Sequence, residues 1–158
     1  MGTRHLQTII SKKGDVMINQ YGQWDGYPEG QGLDILHYLR GANLEKYQKN
    51  LHKIKQATKE CLNAVVKNKD WPNKHPYLSR DCGAKIHQMI EDGKVKFVVH
   101  MDNKNADWCE GFYTIDFQKE LFTSEFYGIK KSFHLSTLPT DEDYLYAMNP
   151  HDEEENEE

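Results

Sequence analysis

Near the start of the chain, apolar and polar residues alternate in two short runs. Residues 4–10 (RHLQTII) and 16–21 (VMINQY) are rich in isoleucine, valine, leucine and threonine, and the intervening KKGD contains a glycine suited to a turn. This pattern predicts a β-hairpin. The segment that follows, residues 22–32, contains four glycines and a proline, and we expect it to form a loop.

The middle of the chain changes to helical spacing. Residues 33–40 predict a short helix that ends at Gly41, and Asn43 is a suitable N-cap for a second helix. Apolar residues of that second helix recur at spacings of three, four and three, which places them on one face: Leu44, Tyr47, Leu51 and Ile54. Helical structure is expected over about residues 31–67, with the second helix either continuing or restarting after Ile54.

Helical and strand patterns alternate again in the second half. Ser79 is predicted to cap a helix over about residues 79–92, which Gly93 ends. Thr140, followed by three acidic residues, is predicted to cap a brief helix that extends to residue 148. Between these helices the period-two pattern predicts four strands, of which the second and third form a hairpin: 95–101, 112–117, 121–127 and 132–135.

The order of these elements indicates the fold class. Hairpins at both ends with helices between them predict an α+β fold, with a mostly antiparallel sheet built from two hairpins plus extra strands. The helices at about residues 31–67 and 79–92 are expected to pack on one face of that sheet. We predict a single domain over residues 1–148, followed by an acidic, disordered tail at residues 149–158.

Composition narrows the cellular setting. The chain lacks a run of about 18 apolar residues, so neither a membrane span nor a membrane partner is expected. Its three cysteines, Cys61, Cys82 and Cys109, are far apart and form no CxxC pair. This usage favours a reducing compartment over a disulfide framework, and we expect a cytoplasmic protein.

Charge is distributed unevenly along the chain, whose formal net charge is −5. All 20 lysine and arginine residues, and 16 of the 25 acidic residues, precede Asp141, so residues 1–140 carry +4. The last 18 residues carry −9. The tail either aids solubility or mimics the charge of nucleic acid, and the sequence leaves both interpretations open.

The most distinctive stretch is QYGQWDGYPEGQ, residues 20–31. Its glycines permit tight turns, and Pro28 restricts Tyr27 to extended conformations, so Trp24 and Tyr27 are predicted to project from defined positions beside Asp25. One interpretation is a recognition loop that stacks on a base and hydrogen-bonds to its edge. The alternative is a structural plug, in which the two rings close the end of the sheet and Asp25 caps a turn.

Two arginines are candidates for the same site. Arg4 begins the first strand and is predicted to pair with Asp25, either as a buried structural pair or as an anchor for an anionic ligand. Arg80 stands at the start of the predicted 79–92 helix, a position that suits phosphate binding or plain capping. The ligand- or partner-binding residues predicted from the sequence are Arg4, Tyr21, Gln23, Trp24, Asp25, Tyr27, Glu29, Arg80 and Glu110.

Motifs for catalysis are sparse. Glu110 and Asp116 lie an even number of residues apart and are predicted to face the same side of a strand, where paired carboxylates suit acid–base chemistry, cation binding or a structural role. His100 is placed to approach Cys109 as a Cys–His pair. The chain contains no HExxH, CxxC, GxSxG or Walker-type loop. We therefore assign no catalytic residue, no metal site and no cofactor.

Four stretches occur in a fixed order: TRHL (3–6), YGQWDGYPEGQG (21–32), SRDCGAKIHQMI (79–90) and WCEGFYTIDF (108–117). Together with LSTLPTDEDYL (135–145), they resemble a family of small uncharacterised proteins from phages and bacteria. The resemblance covers most of the chain. Gly111 departs from the family pattern, in which an aromatic residue is more common at that position.

The resemblance implies interference with a host defence system, such as a CRISPR nuclease or nucleotide-signal immunity. The first hypothesis is an anti-CRISPR-like, non-catalytic protein that binds and inhibits a host protein, a nucleoprotein complex or a small nucleotide in the host cytoplasm. One alternative is a small hydrolase or transferase for a nucleotide-like substrate, with Arg4, Asp25, Arg80 and Glu110 in one pocket. Another is a structural or accessory domain. The oligomeric state stays open, with a homodimer as one option.

Overall fold

The computed structural model describes residues 2–99 and 108–150. Five strands of this part form one sheet, in the order β2-β1-β5-β6-β7, and two short strands, β3 and β4, form a separate parallel pair. The strands are β1 (His5–Ile10), β2 (Val16–Gly22), β3 (Lys55–Gln56), β4 (Phe97–Val98), β5 (Gly111–Asp116), β6 (Leu121–Phe126) and β7 (Ile129–His134).

Helices connect the two halves of the sheet, and a further helix lies at the C-terminal end of the described residues. They are α1 (Leu33–Gly41), α2 (Leu44–Leu51), α3 (Lys59–Val66), α4 (Trp71–Lys74), α5 (Lys85–Glu91) and α6 (Asp141–Met148). A single π-helical turn, Pro28–Gly32, runs directly into α1, and a 3₁₀ turn, Pro76–Leu78, follows α4. None of the helices in residues 2–99 and 108–150 is long and apolar enough to cross a bilayer.

The sheet confirms the predicted α+β class. Both predicted hairpins form, β1 with β2 and β5 with β6, and β7 extends the second one. The two hairpins join through β1 and β5, which run parallel with His5 opposite Gly111 and Ile10 opposite Asp116. The sheet is therefore mostly antiparallel, with one parallel contact at its centre.

The core lies between one face of this sheet and the helices. Its almost fully buried sheet residues are Ile9, Ile18, Tyr113, Ile115 and Phe122. α5 reaches the same face through His87, which hydrogen-bonds to Gln7, and α6 reaches it through Tyr144, which hydrogen-bonds to Ser124. α3, in contrast, buries none of its residues, so it adds no layer to the core.

Helix caps account for most of the boundaries that local sequence predicts. The Asn43 side chain accepts the Lys46 backbone N–H at 3.1 Å and begins α2, and the Thr140 hydroxyl accepts that of Asp143 at 3.1 Å and begins α6. The long helical stretch divides as well, because Thr58 caps α3 separately.

Two predicted boundaries are wrong within the described residues. The helix placed at residues 79–92 begins only at Lys85, because Gly83 adopts a left-handed backbone with φ of +54° and breaks the helical path. The Ser79 hydroxyl accepts the Asp81 N–H at 3.0 Å in a turn instead of capping α5. The strand predicted at 95–101 is limited here to Phe97–Val98, and residues 100 and 101 lie outside the described part.

Candidate functional site

The loop between β2 and α1 is tied down at several points. Gly26 donates its N–H to the Thr3 carbonyl at 2.8 Å, and its own carbonyl accepts the Tyr113 hydroxyl at 2.6 Å. The Asp25 carbonyl accepts the Gln31 N–H at 2.8 Å, and Asp25 itself takes a left-handed φ of 58°. The loop therefore has the defined shape that its glycines and proline predict.

Gly111 explains how the loop sits so close to the sheet. A Cβ at this position would lie 2.1 Å from the Gly26 carbonyl oxygen, a distance that real Cβ atoms do not show. The first residue of β5 is therefore the surface on which the loop backbone rests. An aromatic side chain at residue 111 is incompatible with this contact.

The aromatic side chains of the loop do not plug the sheet. Trp24 is 43% exposed and Tyr27 is 37% exposed. The indole Nε1 of Trp24 donates to Asp81 Oδ1 at 2.5 Å, and the Tyr27 hydroxyl donates to Asp25 Oδ1 at 3.1 Å, a bond that raises the pKa of the tyrosine. Both rings are held in place while remaining accessible, which favours the recognition interpretation of the loop over the buried plug.

Trp24 stands at the wall of an open cleft of about 740 Å³. The loop forms one side of it, α1 and α5 form the others, and the turn at residues 81–84 closes one end. A volume of this size is within the range of ligand-binding clefts. The lining side chains that define its chemistry are Trp24, Asp25, Asp34, Tyr38, Asp81 and Lys85.

Negative charge dominates this cleft. It contains the carboxylates Asp25, Asp34 and Asp81, and Lys85 contributes a cation. His37 also lines it, but its Nε2 is engaged by Asp141 at 2.8 Å. No group of three His, Cys, Asp or Glu side chains within residues 2–99 and 108–150 is arranged to hold a metal ion. The carboxylates are therefore distributed around the cleft and do not converge on one point.

The predicted Arg4–Asp25 ion pair is wrong. Arg4 bonds instead to Glu110, with its guanidinium 2.9 Å from Oε1 and its backbone N–H donating to Oε2 at 2.5 Å. The parallel pairing of β1 with β5 is the reason, because it brings the residue before Gly111 next to the residue before His5. Desolvation raises the pKa of Glu110, but the hydrogen bonds from Arg4 outweigh it and hold the pKa below its usual value.

The predicted site residues consequently divide into three groups. Trp24 and Asp25 line the cleft, with Tyr27 bonded to Asp25 beside it. Arg4 and Glu110 line a different, smaller cavity of about 340 Å³ on the face of the sheet that points away from the core. The remaining members, which lie apart from the cleft lining, are Tyr21, Gln23, Glu29 and Arg80. The Tyr21 hydroxyl bonds to the Gln23 side chain, and the Gln23 N–H donates to the Arg80 carbonyl. Arg80 is exposed, as is Glu29 on the π-helical turn.

Sequence reasoning missed the helical half of the cleft. Asp34, His37 and Tyr38 of α1 line it at spacings of three and one, and Lys85 with Gln88 of α5 line it at a spacing of three. These spacings place polar and aromatic residues on one helical face, a signal available in the sequence. What the sequence does not contain is the information that α1 and α5 turn these faces toward the same loop.

Carboxylate and thiol pairs with a catalytic arrangement are not found in the described residues. Asp116 Oδ1 accepts the N–H groups of Gln118 and Lys119 at 2.9 and 3.0 Å, so it caps the turn of the second hairpin while Glu110 holds Arg4. Burial raises the pKa of the Cys109 thiol to about 11, which keeps it protonated at neutral pH. The predicted partner of this cysteine, His100, lies outside the described residues.

A buried polar chain crosses the interface between the sheet and the helices. His87 contacts Gln7 Oε1 at 2.9 Å through Nε2 and the Tyr47 hydroxyl at 2.9 Å through Nδ1. Gln7 in turn contacts His5 Nδ1 at 3.3 Å, and His5 Nε2 has no hydrogen-bond partner among the described residues. Desolvation lowers the pKa of His5 to about 4 and that of His87 to about 3. Both imidazoles are therefore neutral at physiological pH.

The chain matches no protein-family profile, no curated protein and no solved structure.

Proposed function

We propose that this protein is a non-catalytic binding protein that engages a protein partner through the cleft beside Trp24. One observation carries the proposal: an exposed indole is held by a hydrogen bond at the edge of an open cleft of about 740 Å³. Tryptophan is enriched among the residues that dominate binding energy at protein interfaces. The biological setting we propose is the one that the resemblance implies, a phage-type antagonist of a host defence component in the cytoplasm.

Binding is favoured over catalysis by the state of the candidate reactive groups. The thiols of Cys82 and Cys109 are buried, and burial raises the pKa of each to about 11. The imidazoles of His5 and His87 are fully enclosed and face the core. A hydrolase or transferase with Arg4, Asp25, Arg80 and Glu110 in one pocket is disfavoured, since Arg4 and Glu110 are absent from the cleft lining.

A protein partner is favoured over a nucleotide by the charge of the cleft. Asp25, Asp34 and Asp81 all line it, and phosphate groups of a nucleotide would be repelled by these carboxylates. The same consideration favours a protein surface over the nucleic-acid component of a nucleoprotein complex. Of the features of the cleft, the exposed indole would suit a nucleotide, because a base can stack on its ring, but the carboxylates would not.

We expect Trp24→Ala to weaken the affinity for the partner by about 30-fold and to reduce its capture from host lysate accordingly, because truncating a tryptophan that dominates an interface typically costs that much. Immobilised protein and mass spectrometry identify the partner, and titration calorimetry measures its affinity. The control is Trp108→Ala, the same change at a tryptophan that is 53% exposed and lies outside the cleft lining. Equal capture by the two variants would contradict the proposal.

A further inference from the structure

We propose that the cleft recognises a basic segment of its partner, with an arginine or lysine side chain placed against the face of Trp24 and within reach of Asp34 and Asp81. This inference rests on the proposed function and names the chemistry of the occupant. It combines the orientation of the indole, the uncompensated charge of the cleft and the distribution of its carboxylates.

The hydrogen bonding and exposure of the Trp24 indole suit contact with a cation. Its Nε1–H is already used by Asp81 at 2.5 Å, so the exposed part of the side chain has no free hydrogen-bond donor and offers only ring carbon atoms. Tryptophan is the best of the aromatic side chains for cation–π contact, and arginine makes such contacts most often. The Gln31 side chain adds rigidity by donating to the Trp24 carbonyl at 3.1 Å.

The negative charge around this indole has little compensation within the cleft. No ion pair joins Asp25, Asp34 or Asp81 to a cationic side chain of residues 2–99 and 108–150. Lys85 is the lining lysine, and His37, which also lines the cleft, contacts Asp141 through Nε2. The lining thus carries more carboxylates than cations, and a positively charged occupant is complementary to it.

The distribution of the carboxylates selects a peptide over a metal ion. Metal binding needs ligands that converge at short distances from one point, and the described part of the chain contains no such group of three. Carboxylates spread around a cleft of about 740 Å³ instead suit a segment with more than one cationic side chain. An arginine fork, in addition, can make paired hydrogen bonds to a single carboxylate.

Fluorescence anisotropy with a labelled hexa-arginine peptide tests the inference on the full-length protein. The double variant Asp34→Asn with Asp81→Asn keeps the shape of both side chains and removes two charges from the cleft. The matched control, Glu45→Gln with Glu60→Gln, removes two charges from exposed positions on α2 and α3, away from the cleft. We expect about tenfold weaker peptide binding for the cleft variant and less than about twofold for the control.

Several results would overturn the inference. Equal losses in the two double variants would mean that the peptide responds to overall charge. Binding of hexa-glutamate or ATP at the cleft with similar affinity would mean that the cleft does not select cations. Self-association that requires Asp34 and Asp81, measured by sedimentation, would make a second copy of this chain the occupant. If hexa-arginine fails to bind while Trp24-dependent partner capture persists, the proposed function stands and the basic occupant is wrong.

Discussion

Gly111→Ala is expected to lower the free energy of unfolding by about 3 kcal/mol, near the upper end of the range for overpacking a close contact. The added Cβ would meet the Gly26 carbonyl oxygen at 2.1 Å, and a backbone atom cannot rotate away as a side chain can. The Gly26 carbonyl also accepts the buried Tyr113 hydroxyl, so moving the loop breaks this hydrogen bond as well. Chemical denaturation measures the change.

The matched control is Gly41→Ala at the end of α1, where a Cβ meets nothing within 4 Å. This change should leave the free energy of unfolding within about 1 kcal/mol of the wild type or raise it slightly, because alanine restricts the unfolded chain. Similar stabilities for the two alanine variants would mean that the loop does not rest on Gly111. The cleft, whose wall this loop forms, would then lack the support described above.

The second large effect is a loss of stability on mild acidification. His5 and His87 have folded-state pKa values lowered by desolvation to about 4 and about 3, against about 6.5 in the unfolded chain. The unfolded state therefore binds more protons below pH 6.5, so the stability is fully present above that pH and is lost as the pH falls. Between pH 7.5 and pH 5 the two imidazoles together account for as much as about 4 kcal/mol.

The side chains around these histidines, and the other titrating groups, determine the pH range in which the loss of stability can be assigned to His5 and His87. Asp25 raises the pKa of His5 slightly, Tyr113 meets its ring edge-on, and His87 is flanked by Tyr38 and Tyr47. Carboxylates with lowered pKa values, such as Glu91 and Glu110, lose their contributions only at lower pH. The window from pH 6.5 to pH 5 therefore isolates the histidines.

Denaturation curves across this window should show His87→Gln with a shallower pH dependence than the wild type, by about one proton. The control is His52→Gln, which removes an exposed histidine outside this buried polar chain and whose slope is compared with that of His87→Gln. The slope of the free energy of unfolding against pH is informative even though His87→Gln also lowers that free energy at every pH by disturbing the contacts with Gln7 and Tyr47. A wild-type stability that stays constant from pH 7 to pH 5 would contradict the description of two neutral, buried imidazoles.

Local signals in the sequence predict the hairpins and helix caps well, because the relevant contacts join near neighbours. Asn43 and Thr140 each accept a backbone N–H three residues ahead, which is a purely local interaction. The turn chemistry of the loop is local too, and its glycines and Pro28 indicate a fixed shape correctly. The helix at residues 79–92 shows the limit, since the left-handed Gly83 overrides an otherwise suitable N-cap at Ser79.

The candidate site depends on contacts that the sequence does not specify. Arg4 finds Glu110, 106 residues away, only because β1 and β5 pair in parallel at the centre of the sheet. Asp34 and Lys85 face Trp24 only because α1 and α5 pack beside the loop. The amphipathic spacing of these helices is visible in the sequence, whereas their relative placement is a consequence of tertiary packing.

The positions of the three tryptophans allow partner binding at the cleft to be detected directly. In ¹H–¹⁵N spectra of the full chain, the indole N–H of Trp24 reports on the cleft, that of Trp71 on α4 and that of Trp108 on the other face of the sheet. Addition of the purified partner is expected to shift the Trp24 resonance and leave those of Trp71 and Trp108 in place. Binding that shifts Trp108 while Trp24 stays unchanged would contradict a partner site at the cleft.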